Sequence, residues 1–87
     1  MPEQQKRIIN RLRRAQGQLN AVVSAAEAGE PCQDVVTQLA AAIKALERAG
    51  IIMITSAMQE CLNDPDAALR DDGVTPQDFE KLFLMLA

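Results

Sequence analysis

The two cysteines are the residues of this sequence with the most distinctive chemistry. Cys32 and Cys61 lie 29 positions apart, and no proline interrupts the stretch between them. Apolar residues recur there every three or four positions, which is typical of one face of an amphipathic helix. At about 100° per residue both thiols point nearly the same way, but about 43 Å of helix separates them. The pattern therefore predicts that they pair only when a second copy packs antiparallel and Cys32 of one chain comes level with Cys61 of the other.

The remaining composition restricts what the two thiols can do. The chain contains no histidine, which excludes Ser/His/Asp and Cys/His catalysis as well as imidazole ligands. Glycine-rich phosphate loops and HExxH motifs are absent too. Two thiolates can hold Cu(I), because soft ligands suit that ion, although a selective metal sensor usually has a third ligand. The chemistry that remains for the two thiols is reversible oxidation, persulfidation or bridging. We expect the protein to have no metal site and no cofactor, and not to be an enzyme.

The predicted roles of the two cysteines differ. Pro31 is predicted to open the long helix, so that Cys32 lies in its first turn, where free backbone N–H groups favour a thiolate. Cys32 is then the attacking thiol and Cys61 the resolving one. The alternative is a buried, inert cysteine near a helix start.

Length and composition indicate a single domain over 1–87 whose core is completed by association. The chain has two aromatic residues, Phe79 and Phe83, and a 48% share of mostly small hydrophobic residues. Such a chain buries too little surface alone, so we expect at least an obligate dimer. No signal peptide or membrane span is recognisable, which predicts a cytoplasmic protein without membrane contacts and reactive rather than structural thiols.

Charge is divided unevenly along the chain. The net charge is −3, but residues 1–20 carry +4 and residues 21–87 carry −7. Basic and polar side chains follow one arc of the first helix, and no carboxylate stands four positions from Arg11 or Arg14. We expect this arc to contact DNA phosphates; the alternative is a solvated helix face. The predicted DNA-binding residues are Lys6, Arg7, Arg11, Arg13, Arg14 and Gln18, extended by Lys44 and Arg48.

Periodicity and capping signals predict an all-α fold with three helices per chain. The first runs from about 5 to 28 and ends at Gly29, and the second runs from Pro31 to 62 or 63. An acidic, turn-like connection occupies 64–74. Thr75 then caps a last helix with Pro76 at its first position, which runs to Ala87 and packs as a lid. Two chains are expected to form an antiparallel four-helix-bundle dimer.

Three stretches carry a family resemblance: IINRLRRAQGQLNAVV, AAEAGEPCQDVVTQLAAA and GIIMITSAMQEC. Together they resemble the copper-sensing operon repressor (CsoR) family of small helical bacterial repressors. The resemblance covers residues 6–62, and RLRRxxGQ with a cysteine at each end of the second helix is its specific part. It implies a dimer of antiparallel dimers that binds operator DNA without a helix-turn-helix and releases it when an inducer is sensed.

The same resemblance also indicates which of three inducers the protein senses: copper, a reactive sulfur species or formaldehyde. Copper-sensing members use Cys, His and Cys, and the histidine position is Ala57 here, so the middle ligand is missing. A histidine-free pair of cysteines is similar to the persulfide-sensing branch (CstR), whose cysteines are joined across subunits by di-, tri- or tetrasulfide bridges. GEPC and Pro2 also resemble the formaldehyde-sensing branch, which lacks the second cysteine.

We therefore predict a homotetrameric repressor of operator DNA whose inducer is a reactive sulfur species sensed through Cys32 and Cys61. One alternative is the same class of repressor sensing Cu(I) or formaldehyde. Others are a thiol carrier or enzyme that does not bind DNA, and a helical adaptor.

Overall fold

The computed structural model of this chain describes residues 3–64 and 75–87. These form three helices, which we call α1 (Glu3–Glu27), α2 (Cys32–Asn63) and α3 (Pro76–Leu86). The predicted all-α class is confirmed, and each predicted helix boundary lies within two residues of the observed one. The predicted connection 64–74 falls outside the described residues except for Asp64. No helix in the described ranges has both the length and the apolarity needed to cross a membrane.

A tight turn joins α1 to α2. Gly29 has φ 72°, a left-handed conformation that costs glycine little. The Gly29 N–H donates to the Ala26 carbonyl and the Glu30 N–H to the Ala25 carbonyl, each at 3.1 Å, which is the Schellman arrangement. The Pro31 carbonyl accepts from the N–H groups of Asp34 (2.9 Å) and Val35 (3.1 Å). Pro31 is thus the N-cap rather than the predicted first helical residue, and Cys32 takes the first helical position.

The chain divides into two compact units, Met1–Ala49 and Gly50–Ala87. In the first unit the side chains buried almost completely are alanines, namely Ala15, Ala42 and Ala49. Small side chains allow two helix backbones to approach closely, but they remove little apolar area from water. Larger apolar side chains stay exposed by 37% to 54%: Leu12, Leu19, Val23, Val36, Leu39, Ile43 and Leu46.

The second unit has a core of its own, in which α3 packs against the C-terminal part of α2. Ile54 and Phe79 are buried together, and Ala57, Leu82 and Leu86 pack against them. Gly50 permits the approach of α3, because a Cβ at this position would lie 2.7 Å from Leu86 Cδ1.

The N-terminus of α3 is capped as predicted. The N–H and Oγ1 of Thr75 both donate to Asp78 Oδ2, each at 2.9 Å, and Pro76 is the first helical residue. The backbone hydrogen bond and then the hydroxyl hydrogen bond from Thr75 lower the pKa of Asp78 below its ordinary value, since both stabilise the carboxylate.

Candidate functional site

A polar groove of about 610 Å³ runs along the start of α1. We call it the N-terminal groove; it is lined by Glu3, Gln4, Lys6, Arg7, Asn10, Arg11 and Arg14. Successive turns of one helix place these side chains side by side, because residues three and four positions apart share a face. Glu3 stands one turn before Arg7 and brings a carboxylate into the groove. The groove is therefore a predominantly basic surface.

A second concavity, of about 260 Å³, lies between α1 and the N-terminal half of α2. We call it the basic cleft; its lining consists of Arg11, Arg14, Gln18, Ala41, Lys44, Ala45 and Arg48. Ala41 and Ala45 share one face of α2 at a four-residue spacing, and so do Lys44 and Arg48. The two alanines leave space between the helices, and cations from both helices surround that space.

The basic cleft has an uncompensated positive charge. Within residues 3–64 and 75–87, none of Arg11, Arg14, Lys44 and Arg48 forms an ion pair. Lys44 and Arg48 are like charges one turn apart on the same helix, an arrangement that destabilises a helix slightly. In addition, Gln18 Oε1 is buried without a hydrogen-bond partner.

Arg13 lies apart from the other predicted DNA-binding residues. It borders an apolar groove of about 350 Å³ lined by Ile9, Leu12, Ala15, Gln16, Leu19 and Leu46. The remaining seven predicted residues surround the N-terminal groove and the basic cleft, which share Arg11 and Arg14. Ala41 and Ala45 were not among the predicted site residues, although their spacing relative to Lys44 and Arg48 was a usable signal.

The two cysteines belong to different compact units. Cys32 is the first residue of α2 and has an exposed, free thiol. Cys61 lies in α2 two residues before its end at Asn63. Within the described part of the chain no three His, Cys, Asp or Glu side chains are grouped as metal ligands. The predicted pairing of Cys32 with Cys61 of a second chain remains a prediction.

Ala57, where the resemblance places the histidine of copper-sensing members, has an apolar environment. It packs against the Ile54–Phe79 core and lines a groove together with Leu82 and Leu86 of α3. Apolar side chains of α3 therefore surround the position at which copper-sensing members have their histidine ligand.

Comparison with known proteins decides the family. Residues 4–86 match the family model described as metal-sensitive transcriptional repressor. The chain belongs to this repressor family. A copper-sensing transcriptional repressor CsoR from Mycobacterium ulcerans (strain Agy99) is 30% identical over 63 residues, which cover 72% of this chain. The chain spans about half of that relative, because the matched residues cover 54% of its length. No solved structure matches the chain.

Membership in the metal-sensitive repressor family confirms the resemblance at the level of the family. This family consists of transcriptional repressors rather than enzymes. Neither comparison assigns the chain to the persulfide-sensing branch, and the Mycobacterium ulcerans relative is described as copper-sensing.

Proposed function

We propose that this protein is a DNA-binding transcriptional repressor whose DNA-contacting surface consists of the N-terminal groove and the basic cleft. The observation that carries the proposal is the grouping of Lys6, Arg7, Arg11, Arg14, Lys44 and Arg48 around these two adjoining concavities. Phosphate contacts from lysine and arginine supply much of the affinity of proteins for DNA. The family match supports the same conclusion independently.

A gel-shift titration tests this function. The reduced protein should bind a duplex taken from upstream of its own gene more tightly than a scrambled duplex of equal length and composition. Replacing Lys44 and Arg48 together with Ala should weaken both complexes, because phosphate contacts are independent of sequence. Lys81→Ala removes one exposed lysine of α3, which lines neither concavity, and serves as the charge-matched control for the single variants Lys44→Ala and Arg48→Ala. Equal binding of both duplexes would contradict the repressor function.

We further propose that the inducer is a reactive sulfur species that acts on the two cysteines. The Cys32 thiolate attacks the terminal sulfur of glutathione persulfide, forming a Cys32 persulfide and releasing glutathione thiolate. The Cys61 thiolate of a second chain then attacks the Cys32 sulfur, forming a disulfide and expelling hydrosulfide. When both cysteines carry a persulfide, their condensation forms a trisulfide and releases hydrogen sulfide. The persulfide donor is thus the oxidant in each route. The exposed thiol of Cys32 supports its role as the attacking group.

Cu(I) is the second candidate inducer. The family is described as metal-sensitive and the matched relative as copper-sensing, and two thiolates are suitable ligands for this soft ion. The apolar packing of Ala57 supports the sulfur inducer instead, because a third ligand is missing from the position that the resemblance assigns to it.

One experiment separates the two inducers. The preformed protein–DNA complex is treated either with glutathione persulfide or with one equivalent of Cu(I) per pair of cysteines under anaerobic conditions. We expect the persulfide to release the DNA, with dithiothreitol restoring binding, and Cu(I) to leave most of the complex intact. Complete release by Cu(I) together with no response to persulfide would establish the copper sensor instead.

A further inference from the structure

The basic cleft differs from the N-terminal groove in ways that concern ligand binding. It is a concavity between two helices rather than the surface of one, and its lining contains no carboxylate, whereas Glu3 lines the N-terminal groove. Its volume of about 260 Å³ lies below the range of drug-sized pockets. The space therefore suits a compact ligand.

The charges of the cleft indicate the chemistry of that ligand. Two arginines from α1 and a lysine and an arginine from α2 converge on the alanine floor formed by Ala41 and Ala45. Guanidinium groups match the oxygen spacing of phosphate and form paired hydrogen bonds with it, and lysine adds a point charge. A compact anion would offset the repulsion between Lys44 and Arg48, for which the lining of the cleft provides no carboxylate.

Gln18 completes the lining of the cleft on the α1 side. Its Oε1 has no hydrogen-bond partner and is closed to solvent, so an anion in the open cleft does not reach this oxygen. The four cations around the alanine floor therefore carry the case for an anion site.

We propose that the basic cleft is a binding site for one compact anion of the phosphate class. The phosphate group can come from a free anion such as inorganic diphosphate or from the DNA backbone. A free anion at this site would compete with DNA and thereby regulate the repressor independently of the two cysteines. Binding of the free anion does not depend on the proposed repressor function, whereas the competition does.

Titration of the reduced full-length protein with sodium diphosphate tests the site. Sodium chloride is adjusted to hold the ionic strength constant, and the side-chain resonances of Gln18 and the arginines are followed by NMR. We expect saturable shifts for Gln18, Arg11 and Arg14. Lys44→Ala and Arg48→Ala should each weaken binding about tenfold, the scale of losing a hydrogen bond to a charged group. Lys81→Ala, which changes the net charge equally, should leave the affinity unchanged.

Competition with DNA identifies the source of the phosphate. If diphosphate binds and displaces the DNA at constant ionic strength, the cleft accepts the free anion. If diphosphate does not bind but Lys44→Ala and Arg48→Ala each lower the salt dependence of DNA binding, the cleft holds a backbone phosphate. If the protein binds no DNA, the diphosphate titration alone still decides the proposal. Loss of affinity in Lys81→Ala equal to that in Lys44→Ala, or no effect of either cleft variant on either ligand, would overturn it.

Discussion

Neighbouring arginines of α1 have different surroundings. Arg14 lines both the N-terminal groove and the basic cleft, whereas Arg13 borders the apolar groove next to Leu46. Consecutive helical residues are about 100° apart around the axis, so a run of basic letters in the sequence does not form one surface. Arg13 was predicted to flank the arc of Arg7, Arg11 and Arg14 and to extend the DNA-binding surface, and its role in DNA binding stays a prediction.

Arg14→Ala is the most informative single change at this scale. Ala is a good helix former, so α1 should remain folded while both concavities lose the same cation. We expect operator affinity to fall about fivefold near 0.15 M salt, and the slope of log affinity against log salt to become shallower by about one unit. Gel shifts over a range of salt concentrations measure both quantities. Arg13→Ala should have a smaller effect, and Lys81→Ala should have none. An unchanged slope in Arg14→Ala would show that Arg14 contacts solvent rather than phosphate.

At the scale of the elements, local chemistry made the helices predictable. Gly29 ends α1, and Pro31 and Asp34 mark the start of α2. Thr75 and Asp78 mark the start of α3. At each of these boundaries the hydrogen bonds join residues that are close together in the sequence. The partners of each helix were harder to predict. Neither the approach of Leu86 to Gly50 nor the meeting of Lys44 and Arg48 with Arg11 and Arg14 follows from a pattern within one helix. Such contacts depend on how separate segments pack.

The Asp78 cap makes the stability of α3 depend on pH. Hydrogen bonds from Thr75 lower the folded-state pKa of Asp78 relative to the unfolded chain. A carboxylate with a depressed pKa contributes its stabilisation above the unfolded pKa, and this contribution is lost as the pH falls through the folded pKa. Hydrogen exchange of the α3 amides should therefore accelerate, relative to the intrinsic rate, as the pH falls below about 4. Asp78→Asn should flatten this dependence, while Glu80→Gln, on the same helix, should retain it. Identical profiles for the wild type and Asp78→Asn would contradict a role for the cap.

Two glycines of α2 and α1 provide a matched test of helix packing. A Cβ at Gly50 would lie 2.7 Å from Leu86 Cδ1, whereas nothing lies within 4 Å of a Cβ at Gly17. Gly→Ala inside a helix gains up to about 1 kcal/mol of helix propensity. We expect Gly17→Ala to raise the free energy of unfolding by about this amount, and Gly50→Ala to raise it less or lower it, because Leu86 must move. Denaturant titrations measure the difference, and equal gains at both positions would show that Leu86 moves aside without cost.

At the scale of the whole molecule, the exposed apolar side chains indicate association. Val36, Leu39, Ile43 and Leu46 follow one another on α2 at three- and four-residue spacings and are exposed by 39% to 54%. A contiguous apolar face of this kind is typical of a protein–protein contact, and it supports the predicted antiparallel dimer. The sequence predicted this exposure from the shortage of large core residues. It did not predict that alanines would supply most of the buried positions in the first unit.

The antiparallel dimer leads to the prediction that tests sensing most directly. Cys32 and Cys61 stand near opposite ends of α2 (Cys32–Asn63). A helix rises about 1.5 Å per residue, while a disulfide requires Cα atoms within about 7 Å, so we predict that the bridge joins two chains. Glutathione persulfide should convert the reduced protein into a covalent dimer on non-reducing gels, reversed by dithiothreitol. Mass spectrometry of the digest should find Cys32 linked to Cys61 with no additional sulfur or one additional sulfur.

The cysteine variants assign the two steps of that reaction. Cys32→Ser should abolish both the dimer band and the release of DNA, because the attacking thiolate is lost. Cys61→Ser should still acquire a persulfide at Cys32, seen as one added sulfur in the mass of the intact chain, but should form no Cys32–Cys61 bridge. Isotopically light and heavy chains are unfolded and refolded together before treatment so that mixed dimers form, and light–heavy linked peptides then show that the bridge joins two different molecules. A bridge found only within chains of one isotope, or a bridged dimer that still binds the operator with the affinity of the reduced protein, would refute the mechanism. Bridging that lowers DNA affinity by about 5-fold to 150-fold would correspond to an ordinary allosteric coupling free energy, sufficient for two thiols near the ends of α2 to control the basic surface.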